Sequence, residues 1–208
     1  IIIPDEINIK FLKDFVNIIN KYKTKHRFQI ICGGGRTARR YANAAKELKV
    51  SDNQAHKIGI AATHLNAKFI ATLLKGRFSD KDPREIGKKK GIMVSGGYKV
   101  GWTTDTDAAY IAKEMNADLL INLTDVKGVY TKNPKKYKDA KFLPEVSWKE
   151  FFKILGTKTV KPGGHYVFDP FASVICQKNK IKVIVASTDL KNLEKIFKNE
   201  KFIGTTIR

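Results

Sequence analysis

The chain has 208 residues, a length that suits one α/β domain with a sizeable hydrophobic core. Its formal net charge of +20 would suit an anionic partner, such as nucleic acid, an anionic membrane or an acidic small substrate. The lysines are spread along the chain and do not alternate with aromatic residues, so we expect a solvated basic surface and no specific nucleic-acid interface. No long charge-free apolar run exists, so no transmembrane span is expected.

The two cysteines bear on the compartment. Cys32 and Cys176 both lie in apolar runs, which is typical of buried thiols in a reducing cytosol. We therefore expect a cytoplasmic protein, and we assign no metal ligands from the sequence.

The first quarter of the chain predicts a helix, a strand and a second helix. Apolar residues recur at helical spacing in the first helix, which predicts a broad apolar face: Phe11, Phe15, Ile18 and Tyr22, with Leu12, Val16 and Ile19 beside them. Residues 27–32 predict a strand, and the three glycines 33–35 turn it into a helix that begins near Arg36.

This glycine turn is a candidate phosphate site. A turn between strand and helix leaves unpaired N–H groups at the helix N-terminus, where an anion is favoured. Arg36, Arg39 and Arg40 follow, and arginine suits bidentate contact with phosphate. The alternative is a tight turn with ordinary surface arginines.

The middle of the chain predicts a helix over 58–74, a polar connection over 75–90 and a short buried strand over 91–95. His64 lies in the helix and is expected to be a hydrogen-bonded surface or interface histidine rather than a ligand.

The stretch 96–134 carries the strongest pattern. A loop rich in glycine and threonine leads to Asp105, which opens an amphipathic run, and 119–123 is a short apolar run typical of a buried strand. Asp105 could be an ordinary helix N-cap, a chemical group, or both. Ligands bind beyond the carboxyl ends of strands in open α/β sheets, so we expect two ligand-facing edges joined by one helix.

The last third predicts further βα units. Ser147 and Glu150 have capping-box spacing, and Asp169 followed by Pro170 predicts a helix start. No internal repeat or low-complexity linker interrupts the chain, so we expect a single domain over residues 1–208.

Several motifs together resemble a known family. They are Thr-Thr-Asp at 103–105, Leu-Thr-Asp-Val-x-Gly-Val-Tyr-Thr-x-x-Pro at 123–134, the triple glycine with Arg39, Phe-Asp-Pro-Phe-Ala at 168–172 and Gly-Thr-Thr-Ile at 204–207. In this order they resemble the amino acid kinase superfamily, most closely its archaeal-type UMP kinases. The resemblance covers nearly the whole chain. It implies a three-layer α/β/α sandwich with a mainly parallel central sheet.

The resemblance also implies a reaction and its residues. ATP with Mg²⁺ would donate a phosphoryl group to UMP, and Asp105 and Arg39 would be the catalytic residues. The implied UMP-binding residues are Gly34, His56, Gly97, Tyr98, Lys99, Val100, Gly101, Trp102 and Thr103. The implied ATP-binding residues are Gly35, Arg39, Thr124, Tyr130 and Asn133.

The chain departs from the family pattern at three places. The family begins with a strand ending Gly-Gly-Ser, whose loop cradles the transferred phosphate, and we expect that this segment was removed or lies upstream of Ile1. His56 aligns with an acid that accepts hydrogen bonds from the ribose, and neutral histidine accepts only one. Lys127 and Asn133 each stand where the family has aspartate, which removes negative charge near the ATP side.

A UMP kinase acting as a homo-oligomer, a hexamer by resemblance, is the favoured hypothesis. Two alternatives stay open from the sequence. One is a nucleotide-binding homologue that has lost phosphoryl transfer and serves as a sensor or storage scaffold. The other is a kinase of another small phosphate or acid.

Overall fold

The computed structural model describes residues 7–157 and 166–208. The chain divides into two compact units, Ile1–Ile111 and Ala112–Arg208. The expectation of a single domain over the whole chain stays a prediction.

The first unit contains a parallel three-stranded sheet with helices. Its elements are α1 Ile9–Tyr22, β1 Gln29–Ile31, α2 Gly35–Glu47, α3 Asp52–Leu74, β2 Arg77–Ser79, α4 Pro83–Ile86, β3 Met93–Ser95 and the first part of α5 Thr104–Glu114. The strand order is β1-β3-β2. Val94 of the central strand pairs with Ile30 and Phe78 and is fully buried. Such burial on a central parallel strand is what its apolar side chains favour.

Helix α1 is confirmed where apolar periodicity predicted it, and its buried side chains all belong to the predicted broad apolar face. The side chain of Asn8 caps the helix by accepting from the Phe11 N–H at 2.9 Å. The buried side chains are Leu12, Phe15, Ile19 and Tyr22. Phe11, Val16 and Ile18, which belong to the same predicted face, are half-buried.

Helix α3 begins six residues earlier than position 58, where the prediction placed it. Its first turn is polar, so it adds nothing to the apolar periodicity. The cap is Ser51, whose hydroxyl accepts from the Gln54 N–H at 3.4 Å. Strand β2 lies within the predicted polar connection over 75–90, so that part of the prediction is wrong. It has only three residues, and its hydrogen bonds to β3 rather than its composition make it a strand.

The second unit has a four-stranded mixed sheet and a two-stranded ribbon. Its elements are β4 Leu119–Thr124, β5 Val129–Tyr130, β6 Phe142–Leu143, β7 Glu145–Val146, α6 Trp148–Leu155, α7 Pro170–Lys178, β8 Lys182–Ser187, α8 Leu190–Phe197 and β9 Thr205–Ile207. The order is β4-β8-β9-β7, with only the β8–β9 pair antiparallel in that sheet. The ribbon pairs β5 with β6 antiparallel.

Both helix starts predicted in this unit are confirmed. Ser147 and Glu150 form a reciprocal capping box, with the Ser147 N–H donating to Glu150 Oε2 at 3.0 Å and the Glu150 N–H donating to Ser147 Oγ at 3.2 Å. Asp169 caps α7 by accepting from the Ala172 N–H at 2.7 Å, with Pro170 in the first turn. Short polar signals of this kind act within one turn, so the sequence alone reveals them.

The two cysteines lie in the interior, as predicted. Cys32 and Cys176 are buried, and neither forms a disulfide bond within residues 7–157 and 166–208. Burial raises the pKa of the Cys32 thiol to about 12, because desolvation disfavours the thiolate. Cys32 is therefore an inert packing residue rather than a nucleophile. Within 7–157 and 166–208, no helix is both long enough and apolar enough to cross a bilayer.

Candidate functional site

The glycine turn after β1 leads directly into α2. Gly34 is the N-cap of that helix and makes no side-chain capping bond, and no acidic residue occupies the first turn. The first N–H groups of α2 therefore keep their capacity to bind an anion. Gly35 has a φ of +60°, a conformation that glycine adopts without steric cost.

Arg39 is exposed on α2. It forms no hydrogen bond or ion pair with any described residue, whereas Arg36 and Arg40 each have an interaction. An unengaged guanidinium one turn into a helix that starts at a glycine loop is free to contact a ligand phosphate.

Helix α3 holds both glycine loops of the first unit. The Asn66 side chain donates to the Gly33 carbonyl at 2.8 Å. Thr63 Oγ1 accepts from the Gly97 N–H at 2.7 Å, and His64 Nε2 donates to the Gly97 carbonyl at 2.8 Å. Thr63 and Asn66 are buried, and the Thr63 bond is shielded from water, so these bonds hold the loops against one helix.

Sequence reasoning missed Thr63 and Asn66. The signal was present, because two polar side chains at i and i+3 interrupt the buried face of an otherwise apolar helix. His64 is half-buried and hydrogen-bonded to protein backbone, as predicted; that it binds no ligand stays a prediction.

Gly96 allows the second loop to approach α3 closely. A Cβ at this position would lie 2.3 Å from Thr63 Oγ1 and 2.8 Å from both His64 Cδ2 and the Thr63 carbonyl carbon. No side chain fits there unless the loop or the helix moves.

We expect Gly96→Ala to lower the free energy of unfolding by about 1–3 kcal/mol, the range for overpacking. The matched control is Gly59→Ala on α3, where an added Cβ meets nothing within 4 Å. In a helix interior that change should stabilise by about 0.5–1 kcal/mol. Urea unfolding of the two variants beside wild type measures both values. A Gly96→Ala protein as stable as wild type would contradict the close approach.

The loop from Gly97 to Thr103 connects β3 to α5. Its tip is held by His56, whose Nδ1 accepts from the Gly101 N–H at 3.4 Å, and Gly101 has a φ of +87°. Nδ1 is then the acceptor of the neutral ring, and Nε2 carries the hydrogen. The one acceptor nitrogen of the neutral ring therefore binds the loop and not a ribose hydroxyl. The other ring nitrogen, Nε2, can only donate.

Aromatic side chains line the same loop. Trp102 stacks on Tyr110 of α5 with ring centroids 4.7 Å apart, and Tyr98 meets Trp102 edge-on at 6.1 Å. The Lys99 ammonium lies 4.2 Å from the Trp102 ring centroid. These contacts stabilise the loop by stacking and cation–π attraction.

Asp105 lies in the first turn of α5 and is half-buried. It is not the cap of that helix. The Thr103 hydroxyl accepts from the Thr106 N–H at 3.2 Å, which is the capping interaction. The carboxylate of Asp105 is therefore not needed as a cap and remains a candidate for chemistry.

A second acid of α5, Asp107, is the more perturbed group, and sequence reasoning missed it. Its side chain is fully buried, and Oδ2 accepts from the Tyr98 N–H at 3.0 Å. Oδ1 has no hydrogen-bond partner among the described residues. Burial raises the pKa of Asp107 to about 7, because the charged form loses its hydration. Nothing in the local sequence distinguishes this acid from Asp105.

In the second unit, two of the expected site residues, Thr124 and Asn133, are linked through the ion pair between Asp125 and Lys135. Thr124, at the end of β4, donates to Asp125 Oδ1 at 3.4 Å, and Asp125 pairs with Lys135. The Lys135 N–H in turn donates to Asn133 Oδ1 at 2.9 Å. The Lys135 ammonium lowers the pKa of Asp125, so this carboxyl is charged at neutral pH.

Tyr130 lies on the ribbon and packs edge-on against Phe142, with centroids 5.5 Å apart. The ribbon is anchored by Thr205, whose hydroxyl accepts from the Val129 N–H at 2.7 Å. Gly128 permits this contact, since a Cβ there would lie 2.5 Å from Thr205 Oγ1. The closing Gly-Thr-Thr-Ile motif thus positions the turn that carries Tyr130.

No cluster of three or more His, Cys, Asp or Glu side chains suited to a metal ion occurs in the described ranges.

Comparisons with known proteins agree with the fold and with the motifs. Residues 2–187 match the model of the amino acid kinase family. The uridylate kinase of Thermoplasma volcanium is 37% identical, with 100% of this chain and 93% of the relative covered. The uridylate kinase of Sulfolobus acidocaldarius is 34% identical, over 96% of this chain and 91% of the relative.

Solved structures give the same result. The crystal structure of uridylate kinase from Archaeoglobus fulgidus superposes with a TM-score of 0.84 at 30% identity, covering 99% of this chain and 96% of that one. UMP kinase from Ureaplasma parvum has a TM-score of 0.77 at 22% identity, which supports the fold. The predicted α/β fold class, a three-layer α/β/α arrangement of the amino acid kinase type, is confirmed. The chain belongs to the amino acid kinase family.

Proposed function

We propose that this protein is a UMP kinase, which transfers the γ-phosphoryl group of ATP to UMP and releases UDP and ADP. One structural observation supports the proposal most strongly. The two glycine loops that follow β1 and β3 are tied to one helix, α3: the Asn66 side chain donates to the Gly33 carbonyl, and Thr63 Oγ1 accepts from the Gly97 N–H. The first N–H groups of α2, which no side chain caps, suit an anionic substrate at the first of these loops.

We assign the residues as the sequence resemblance implies. The UMP side comprises Gly34, His56 and the loop Gly97–Thr103. Given its hydrogen bond to Gly101, we propose that His56 acts by positioning this loop and by offering Nε2–H as a donor. An N–H donor suits a phosphate or carbonyl oxygen of the substrate, because these oxygens accept hydrogen bonds. It suits a ribose hydroxyl less well when that hydroxyl itself acts as the donor.

The proposed ATP side comprises Gly35, Arg39, Thr124, Tyr130 and Asn133. Arg39 would neutralise phosphate charge. Asn133 would offer an amide at the position where the family pattern has aspartate. Mg²⁺ would shield the phosphates of the bound nucleotide, and Asp105 is the carboxylate we propose to orient the transfer site. Phosphoryl transfer needs positioning and charge neutralisation rather than a covalent intermediate, and these residue types supply both.

By the same resemblance, we propose that the enzyme acts in the cytoplasm as a homo-oligomer. Its partners would be nucleotide substrates, with no specific nucleic acid. Any duplex binding by the basic surface should be non-specific and fall steeply with salt.

The direct test of the proposed function is a coupled assay of the purified full-length protein with ATP and Mg²⁺ across UMP, CMP, AMP and GMP. We expect turnover with UMP above the others. Binding of UMP without turnover would favour the nucleotide-binding homologue, and turnover of a different acceptor would overturn the substrate assignment.

Arg39→Ala should weaken ATP binding by about 1.5–3 kcal/mol, the range for charged hydrogen bonds. The free energy of unfolding should change little, because the exposed side chain has no hydrogen bond or ion pair with the part of the chain that the structure describes. The control is Lys46→Ala, which removes the same charge from the other end of α2. Titration calorimetry with ATP measures both variants, and equal affinities would return Arg39 to the role of a surface residue.

A further inference from the structure

The three parallel strands of the first unit begin at one edge of their sheet, which we call the amino edge. It consists of the segments 23–28, 75–77 and 87–92, where β1, β2 and β3 are entered. The glycine loops leave from the opposite, carboxyl edge of the same sheet. Each strand has three residues and rises about 3.3 Å per residue, so the two edges are about 10 Å apart.

The amino edge concentrates positive charge. Its three segments contain eight lysine and arginine residues, all of them exposed, and no aspartate or glutamate. Across the whole chain, basic residues outnumber acidic ones by 40 to 20, so this edge is more positive than the average surface. The lysines are spread along the sequence, and the parallel sheet brings three of these basic segments together.

Hydrogen bonds hold the segments against one another. The Arg77 N–H donates to the Ile92 carbonyl at 3.0 Å, and its guanidinium group donates to the Lys90 carbonyl. The Gln29 side chain donates to the Lys89 carbonyl at 3.1 Å. The lysines of 88–90 are therefore carried on a backbone that both neighbouring strands fix, rather than on a flexible tail.

Little negative charge opposes this array. Four of its lysines form no ion pair with any described residue: Lys25, Lys75, Lys89 and Lys90. The acid closest to the edge in the sequence is Glu85 on α4, which is exposed. Neighbouring strands are about 4.8 Å apart, so the three segments lie within about one Debye length, 10 Å at 0.1 M salt, and their potentials add.

We propose that the amino edge binds the phosphate backbone of a nucleic acid without regard to base sequence. A chain of phosphates presents many negative charges to a fixed array of cations, and the release of its counterions drives the association. None of the exposed large apolar residues lies in the three segments, so this edge has no apolar group to insert into a lipid bilayer. The partner is therefore a nucleic acid rather than a membrane.

The first experiment measures the affinity for a fluorescent duplex DNA of mixed sequence by anisotropy, between 25 and 300 mM KCl. The edge variant carries Lys88→Gln, Lys89→Gln and Lys90→Gln. The matched control removes three exposed lysines from a five-residue stretch of the second unit, through Lys178→Gln, Lys180→Gln and Lys182→Gln. Both variants lose the same charge, so only its position differs.

We expect the edge variant to bind the duplex at least about tenfold more weakly at 50 mM KCl. The slope of log affinity against log salt should become shallower by about 2–3, since each lost phosphate contact removes about 0.9. The control should stay close to wild type, and a second duplex of unrelated sequence should bind equally well. Absence of duplex binding by wild type at 50 mM KCl, or equal losses in the two variants, would overturn the proposal.

A second experiment separates this surface from a membrane site and from the nucleotide loops. Sedimentation with phosphatidylserine vesicles and steady-state UMP turnover are measured on the same three proteins, and we expect the edge variant to match the control in both. A loss confined to vesicle binding, or a loss of turnover in the edge variant alone, would overturn the proposal. Duplex binding is measured without UMP or ATP, so failure of the proposed function would not change its result.

Discussion

Asp105→Asn is expected to lower kcat for UMP phosphorylation by about 10²–10³-fold, the range seen when one preorganised electrostatic contact is removed from an active site. The side chain keeps its size and loses its charge. Because Thr103 caps α5, the helix should survive the change. Loss of an acid from a helix first turn should lower the free energy of unfolding by about 1 kcal/mol or less.

The measurement is steady-state kinetics with ATP and UMP varied in turn, beside urea unfolding. An equal fall in kcat and kcat/KM would mean that Asp105 acts in the transition state. Asp118→Asn, an exposed acid after α5, is the control and should match wild type. Turnover within threefold of wild type in Asp105→Asn would remove Asp105 from the catalytic residues.

The second large effect concerns stability against pH. The pKa of Asp107 is about 7 in the folded protein and 3.8 in its ordinary state. Between these values the folded state keeps a proton that the unfolded chain has lost. The contribution of this group to stability is therefore fully present below about 3.8 and is lost as the pH rises through 7.

Asp107→Asn removes this dependence. The stability of the variant relative to wild type should therefore increase between pH 4.5 and pH 8, by at most about 4 kcal/mol, which is the shift in pKa converted to free energy. Urea unfolding at several pH values measures it, with Asp118→Asn as the control. Parallel pH profiles for wild type and Asp107→Asn would show that the buried carboxyl does not titrate in this way.

Several parts of this molecule could be predicted because their causes are local. The caps at Ser147 and Asp169 depend on residues within one turn. The glycine turn before α2 and the strand Leu119–Thr124 depend on backbone freedom and apolar composition over a few residues. The ordered motifs were sufficient to predict the family.

Other parts could not be predicted because their causes lie far apart in the chain. Strand β2 forms because it pairs with Met93–Ser95. The three residues Arg77–Ser79 have no pattern of their own that predicts a strand. The predicted α3 was too short because the prediction relied on apolar residues at helical spacing, and the first turn after the Ser51 cap is polar. Packing decided which residues of the broad apolar face of α1 are fully buried.

The sequence by itself determined the fold class, the family and the positions of the glycine loops, since these follow from patterns of neighbouring residues. Only the tertiary structure decided which polar side chains hold those loops. Thr63 and Asp107 act across separations of 34 and 9 residues, at Gly97 and Tyr98. The pKa of an acid depends on what surrounds it in space, so Asp105 and Asp107 look alike in the sequence and differ in the folded protein.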